Sequence, residues 1–255
     1  MKRREFNIML AASSLALAAG SAGAADQPAN KLKVIALIYP GMILLDLAGP
    51  LTCFNMLMAD IHLVSKTMDP VKTDTGVTVA PTTTLADCPD EADVLFVPGG
   101  LGGTTEMMED AEVVGFLRSR GAKAKFVTSV CTGSLLLGAA GLLKGKRATS
   151  HWYTRDLLPL FGATPVEARV VEDGDVITGA AVTAGIDFGL TLAARLRGED
   201  TAKFIQLLIE YDPHPPFDAG SPDKAGQTLV SSVLSRRASA LDAARAAAER
   251  VSRQL

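Results

Sequence analysis

Between Phe126 and Leu143 the sequence passes from a strand pattern to a helix pattern with no loop between them. Phe126-Val127-Thr128-Ser129-Val130 is a short apolar strand, Cys131 follows at once, and a helical run begins. Ser129 and Gly133 stand two positions either side of the cysteine. A reacting residue on a sharp strand-to-helix turn needs small neighbours there, because bulky ones would clash. A cysteine so placed has two readings. At a helix N-terminus the macrodipole and unpaired N–H groups lower its pKa and expose thiolate. The alternative is a small hydrophobe buried at a strand end.

The remaining strand runs point to a parallel sheet. Lys33 to Tyr39 (KVIALIY) and Val94 to Val97 (VLFV) are short buried runs, each ending at Pro-Gly. Helical spacing follows over Leu44–Met58 and Glu106–Arg120. Strands with glycine-rich exits, each feeding a helix, predict an α/β fold with ligands at the carboxyl edge of the sheet. Asp46, among leucines at the start of the first helix, is read either as a cap or first-turn charge or as a carboxylate at that edge. In Pro98-Gly99-Gly100-Leu101-Gly102-Gly103 the glycines let backbone N–H groups turn toward a bound atom. The lysine and hydroxyl of a phosphate loop are missing. Further along, Ile61–Lys66 is a strand and Val71–Pro81 a β excursion around Asp74-Thr75-Gly76. Arg147–His151 reads as a strand and Tyr153–Phe161 as a helix. Val166–Glu172 and Val176–Thr178 form a hairpin at Asp173-Gly174-Asp175. Helices are predicted over Thr183–Arg197 and Glu199–Tyr211, and a last one from Ser221-Pro222 to Leu255. Its Leu234, Leu241, Ala248 and Leu255 fall seven apart and give one stripe for packing.

Residues 1–24 carry a targeting pattern: Lys2-Arg3-Arg4, an apolar run over Ile8–Ala19, and Ala22-Gly23-Ala24 as cleavage site. Arg3-Arg4-Glu5-Phe6 resembles a twin-arginine export signal, and an ordinary secretory signal with two arginines is the other reading. Either places the protein outside the cytoplasm, periplasmic or otherwise exported. Removing residues 1–24 moves the formal net charge from −3 to −5. Residues 25–31 are a polar linker, 32–222 the α/β domain and 223–255 the C-terminal helix. The acidic balance and scattered Lys and Arg argue against nucleic acid or an anionic membrane as partner. Three cysteines, Cys53, Cys88 and Cys131, lack CxxC spacing, and His62, His151 and His214 lack metal-ligand spacing, so no metal site is predicted. Cys53 is predicted buried and inert. His151 is read as structural or pocket-lining, with a thiol–imidazole pair to Cys131 left open; Trp152 and Tyr153 beside it wall a pocket or simply pack.

The candidate chemistry therefore joins a Cys131 thiolate, backbone donors at Gly100 and Thr132, and the Asp46 carboxylate. Five separated segments carry a family resemblance: YPGMILLDLAGP (39–50), DVLFVPGGLGG (93–103), TSVCTGSLLLGAAGLLKGKRATSHW (128–152), TAGIDFG (183–189) and EYDPHPPFDAGSP (210–222). Together they make the chain resemble the ThiJ/PfpI superfamily, and most closely its isonitrile hydratase branch. The resemblance implies a flavodoxin-like three-layer sandwich, a homodimer, no cofactor and a small-molecule substrate. It places the nucleophile on Cys131, the carboxylate on Asp46 and the hydroxyl residue on Thr132. Gly99, Gly100, Thr132 and His151 are the expected oxyanion and substrate-binding positions. The implied reaction adds water to an isonitrile through a cysteine thioimidate, giving an N-substituted formamide. Cys131-Thr132 differs from the Cys-His of the peptide-hydrolase branch, and the glyoxalase-like branch carries glutamate rather than Asp46. Two other functions remain in view: a cysteine-dependent enzyme for 2-oxoaldehydes, and a non-catalytic periplasmic redox-sensing or stress-protective protein. A helix-turn-helix reader fused after Pro222 is not expected.

Overall fold

The computed structural model describes residues 31–255; the targeting segment and most of the linker predicted above lie outside them. The chain begins with strand β1 (Lys33–Leu37), helix α1 (Leu44–Met56) and strand β2 (Asp60–Ser65). Three two-residue strands follow: β3 (Val71–Lys72), β4 (Thr78–Val79) and β5 (Thr83–Thr84). Next come β6 (Val94–Val97), α2 (Leu101–Met108), α3 (Ala111–Gly121), β7 (Phe126–Val130) and α4 (Gly133–Ala139). A short pair, β8 (Arg147–Ala148) and β9 (Thr164–Pro165), flanks a 3-10 helix over Arg155–Phe161. The hairpin β10 (Val170–Asp173) and β11 (Val176–Gly179) leads into α5 (Ala184–Arg197) and α6 (Glu199–Leu208). The chain ends in α7 (Pro222–Ala225) and α8 (Gln227–Ser252).

Seven strands form the main sheet in the order β10-β11-β7-β6-β1-β2-β5, parallel throughout except where β10 pairs with β11. Helices α1 and α5 pack together on one face, while α2, α4 and α8 pack together on the other. This is the parallel α/β sheet expected from the strand–glycine–helix pattern, in the flavodoxin-like sandwich that the family resemblance implies. From β1 the chain moves outward to β2 on one side, then returns to place β6 on the other. That reversal opens a crevice at the carboxyl ends of β1 and β6, where open parallel sheets bind ligands.

The face under α1 and α5 is held by an aromatic trio. Phe54 of α1 meets Phe96 of β6 edge-on at 5.7 Å, and Phe96 stacks on Phe188 of α5 at 5.7 Å. All three are fully buried, each contributing about 1.5–3 kcal/mol of burial. α5 approaches α1 closely because Gly189 lies against Cys53, whose thiol pKa burial raises to about 11. Cys53 is therefore the inert core residue expected. Cys53, Cys88 and Cys131 are all free and buried.

Several boundaries differ from the sequence expectation. The helix predicted over Glu106–Arg120 is two helices. α2 starts at Leu101 and takes in Gly102 and Gly103, and Asp110 begins α3 by accepting from the N–H groups of Glu112 and Val113. A capping aspartate in mid-run restarts the helix, overriding the continuous periodicity. The last helix breaks at Gly226, whose φ of +77° suits glycine but not helix. The predicted seven-residue stripe is only partly used, since Ala244, Ala247 and Ala248 are buried while Leu234 and Leu255 are exposed. Small side chains let α8 lie close on α2, which the larger leucines could not. Arg147–His151 is a strand for two residues only, and Val166–Glu172 shortens to β10.

Candidate active site

β7 delivers Cys131 to the crevice in a left-handed backbone conformation, φ +55°. A non-glycine residue there costs on the order of 1–3 kcal/mol unless its surroundings over-determine it. Here they do. The Cys131 N–H donates to the Gly179 carbonyl at 3.0 Å. The Cys131 carbonyl accepts from Ser150 Oγ at 3.1 Å and Ser134 Oγ at 3.3 Å. Gly133 is obligatory: a Cβ there would lie 2.3 Å from the Val97 carbonyl oxygen. The turn expected of a nucleophile elbow is thus present, and the smallness of Gly133 has its physical reason.

Asp46 sits in the first turn of α1 and is fully buried. It does not cap its own helix. Its Oδ2 accepts from the Gly99 N–H at 2.9 Å, across the crevice, while its Oδ1 has no hydrogen-bond partner among the described residues. The capping duty falls to Asp74, whose Oδ1 accepts from the Leu44 N–H at 2.9 Å. Burial raises the Asp46 carboxyl to about 7, against the pull of the Gly99 N–H and the neighbouring Cys131 thiol.

Cys131 overturns the expectation of an exposed, acidified thiolate. The residue is fully buried, and its pKa is raised well above the ordinary 9.0. Burial is the main cause and the Asp46 carboxylate the second; the Thr132 N–H opposes them without prevailing. At rest the sulfur is a neutral thiol set against a carboxyl group that titrates near neutrality. A helix terminus of seven residues cannot outweigh loss of hydration on this scale.

Gly99 is the spacer that lets these groups meet. A Cβ on it would stand 2.6 Å from Thr132 N, 2.7 Å from Cys131 Cβ and 2.8 Å from Asp46 Oδ2. The Gly99 and Gly100 amides were expected to face the reacting atom, but both are already engaged. Gly99 N–H goes to Asp46, and Gly100 N–H donates to Thr132 Oγ1 at 2.8 Å. They orient the side chains that flank the sulfur instead.

The Thr132 hydroxyl heads a buried relay whose direction can be deduced. Tyr39 Oη donates to the Pro98 carbonyl at 2.7 Å, which uses its only proton. Thr104 Oγ1, 3.1 Å away, must therefore donate to Tyr39 Oη. Thr132 Oγ1 in turn donates to Thr104 Oγ1 at 2.8 Å. The Thr132 proton thus points away from the sulfur. Tyr39 and Thr104 were missed at the sequence level, since their contribution depends on a contact between β1 and α2.

His151 makes no pair with the thiol. Its ring lies against Tyr153, centroids 3.7 Å apart, and its buried Nδ1 has no partner among the described residues. Burial, helped by Arg237, lowers its pKa to about 4, so it is a neutral imidazole. Tyr153 stands between the two regions: its hydroxyl is raised to about 12, first by burial and then by Cys131. Among the described residues no group of three His, Cys, Asp or Glu side chains could hold a metal ion.

The DJ-1/PfpI family profile matches residues 32–195, which include Asp46, Gly99 and Cys131. The chain belongs to the DJ-1/PfpI family. It is 52% identical over 211 residues to the isonitrile hydratase of Pseudomonas putida, covering 82% of this chain and 92% of that one. A crystal structure of a ThiJ/PfpI family protein from Pseudomonas syringae superposes with a TM-score of 0.84 at 50% identity, covering 86% of this chain and 90% of that one. Drosophila melanogaster DJ-1beta shares the fold, with a TM-score of 0.67 at 23% identity over 72% of this chain and all of its own.

Proposed function

We propose that this chain is an isonitrile hydratase-like hydro-lyase, with Cys131 as nucleophile and Asp46 as its proton carrier. One observation carries the reading: a thiol and a carboxyl group buried side by side, the carboxyl raised to about 7. A group poised there is populated in both protonation states at neutral pH, as a group that must serve in turn as base and acid requires. The high pKa of the thiol means that attack must be coupled to proton loss. Asp46 takes the thiol proton, sulfur bonds to the terminal carbon of R–N≡C, and Asp46 returns the proton to that carbon. The product of this half is the thioimidate R–N=CH–S–Cys131. Asp46 then removes a proton from water as hydroxide adds to the same carbon and passes that proton to nitrogen, giving R–NH–CH(OH)–S–Cys131; as the C–S bond breaks, Asp46 takes the hydroxyl proton and returns it to the departing sulfur. R–NH–CHO leaves and Cys131 is restored. Thr132 positions this exchange through its N–H and its fixed hydroxyl.

Incubating the purified protein with an alkyl isonitrile and following the formamide by mass spectrometry tests the assignment. Formamide formation supports it. Turnover of methylglyoxal with the isonitrile left untouched would replace it by the 2-oxoaldehyde reading. The redox-sensing alternative is disfavoured by the buried, un-ionised sulfur, since oxidation follows thiolate character and exposure.

Gly99→Ala tests the geometry directly. The added methyl must push Cys131, Thr132 and Asp46 apart, so turnover is expected to fall at least about tenfold while stability drops by roughly 1–3 kcal/mol. Wild-type kinetics in this variant, measured beside a thermal melt, would count against a shared reaction site.

Export and self-association are part of the same proposal. The Arg3-Arg4 pair supports a twin-arginine route to the periplasm, and converting both to lysine should hold the protein in the cytoplasm. A homodimer is supported by Phe204, Leu207 and Leu208, which α6 leaves exposed together. Light scattering of the purified chain reads its mass.

A further inference from the structure

The cavity between the His151–Tyr153 segment and α8 has a chemical character that the hydratase reading leaves unassigned. It holds about 310 Å³, near the lower end of small-molecule clefts, and so suits a single substituent rather than a polymer. Its walls are apolar: Ile43 from the start of α1, Trp152, Val182, and Leu229, Val230 and Val233 from α8. His151 and Tyr153 also line it, and two hydrogen bonds tie its walls to the reacting pair: Ser150 Oγ, next to His151, donates to the Cys131 carbonyl at 3.1 Å, and the Ile43 N–H donates to the Gly99 carbonyl at 2.8 Å.

Arg237 is the sole charged residue among those lining this cavity. Among the described residues it forms no ion pair or side-chain hydrogen bond, whereas most other arginines here do. The contrast with the neighbouring cavity under Pro215 and Phe217 is direct. There Arg155 pairs with Glu167 at 2.9 Å, Lys224 with Asp218 at 2.7 Å, and Arg169 with Asp187. No carboxylate lines the cavity at Arg237. His151 stays neutral and adds no second positive charge. An apolar cleft with one uncompensated guanidinium is built for an amphipathic anion.

We propose that the preferred isonitrile carries an apolar substituent ending in a carboxylate, with the substituent lying between Trp152, Val182 and Val233 and the carboxylate held by Arg237. This deepens the hydratase reading and rests on it. The reacting carbon would face Cys131, past Tyr153, while the far end of the molecule meets α8. The C-terminal helix thereby becomes the specificity element of a site whose chemistry lies in the α/β domain. The product would be an N-formyl amino alkanoate.

The probes are isocyanohexanoate and its methyl ester, which differ chiefly in the terminal charge. Wild-type protein should prefer the acid in kcat/KM by about tenfold, mainly through KM, as expected for a charge-assisted contact at a partly exposed site. In Arg237→Gln the acid-to-ester ratio should collapse toward one, and Arg237→Lys should restore part of it. Raising the salt concentration should erode the wild-type ratio as well. An equal preference in wild type, or a ratio unchanged in Arg237→Gln, would overturn the proposal. If neither compound nor a simple alkyl isonitrile yields formamide, the hydratase reading beneath it fails instead. Circular dichroism guards against a folding artefact; Arg237 is exposed on α8, so the variants should retain the native spectrum.

Discussion

Cys131→Ala is expected to abolish formamide formation, a loss on the order of 10⁴-fold or more, because no other group can form the covalent intermediate. Cys53 is packed in the core against Gly189, and Cys88 is buried beside Pro89, so neither can substitute. The fold should survive. The substitution removes one sulfur atom, and the backbone bonds to Gly179, Ser134 and Ser150 that hold the turn do not involve it. The variant should therefore melt within a few degrees of wild type, since a small buried deletion costs on the order of 1 kcal/mol. Rapid acid quench of the wild-type reaction should reveal an adduct whose added mass equals that of the isonitrile, absent from the variant. Turnover by Cys131→Ala would remove the nucleophile from the scheme, whatever the state of the fold.

Asp46→Asn should separate activity from stability. Loss of the proton carrier lowers kcat by roughly 10²–10⁴-fold. Stability moves in the other direction at alkaline pH. The Asp46 carboxyl is raised from its ordinary 3.8 to about 7, so between those values the folded protein keeps a proton that the unfolded chain has released. The folded state binds more protons, and wild-type stability falls as pH rises across this window. The favourable contribution is complete below about pH 4 and lost once pH passes about 7. Asparagine does not titrate, and its carbonyl can still accept from the Gly99 N–H. The variant should therefore lack this component of the slope and exceed wild type at pH 8 by up to a few kcal/mol. Urea melts at pH 5 and pH 8 read the difference. A variant less stable than wild type at pH 8 would mean that Asp46 is not held against its charge.

How much of this was legible beforehand depended on how local each feature is. The parallel sheet was readable because KVIALIY, VLFV and FVTSV are short buried runs, each leading to a helix, and that connection forces crossovers. The position of Cys131 was readable for the same reason, since a strand running into a helix with only small residues beside the junction is encoded within five positions. Asp46 could be nominated from its place after β1, but its cap-like setting was misleading until Asp74 was found doing the capping. The break at Asp110 and the start of α2 inside a glycine run were hidden, because periodicity does not register where a side chain restarts the hydrogen-bond ladder.

The sequence by itself determined the parallel strand–glycine–helix framework, the sharp turn at Cys131 and the need for glycine beside it. These follow from steric rules acting over a few residues. Only the tertiary structure decided that the thiol is un-ionised, that the Gly99 and Gly100 amides serve Asp46 and Thr132, and that Arg237 of a distant helix lines the same cavity as Tyr153. Hydration lost on burial is set by everything packed around a group, and it exceeds the helix-end field that the local sequence advertises.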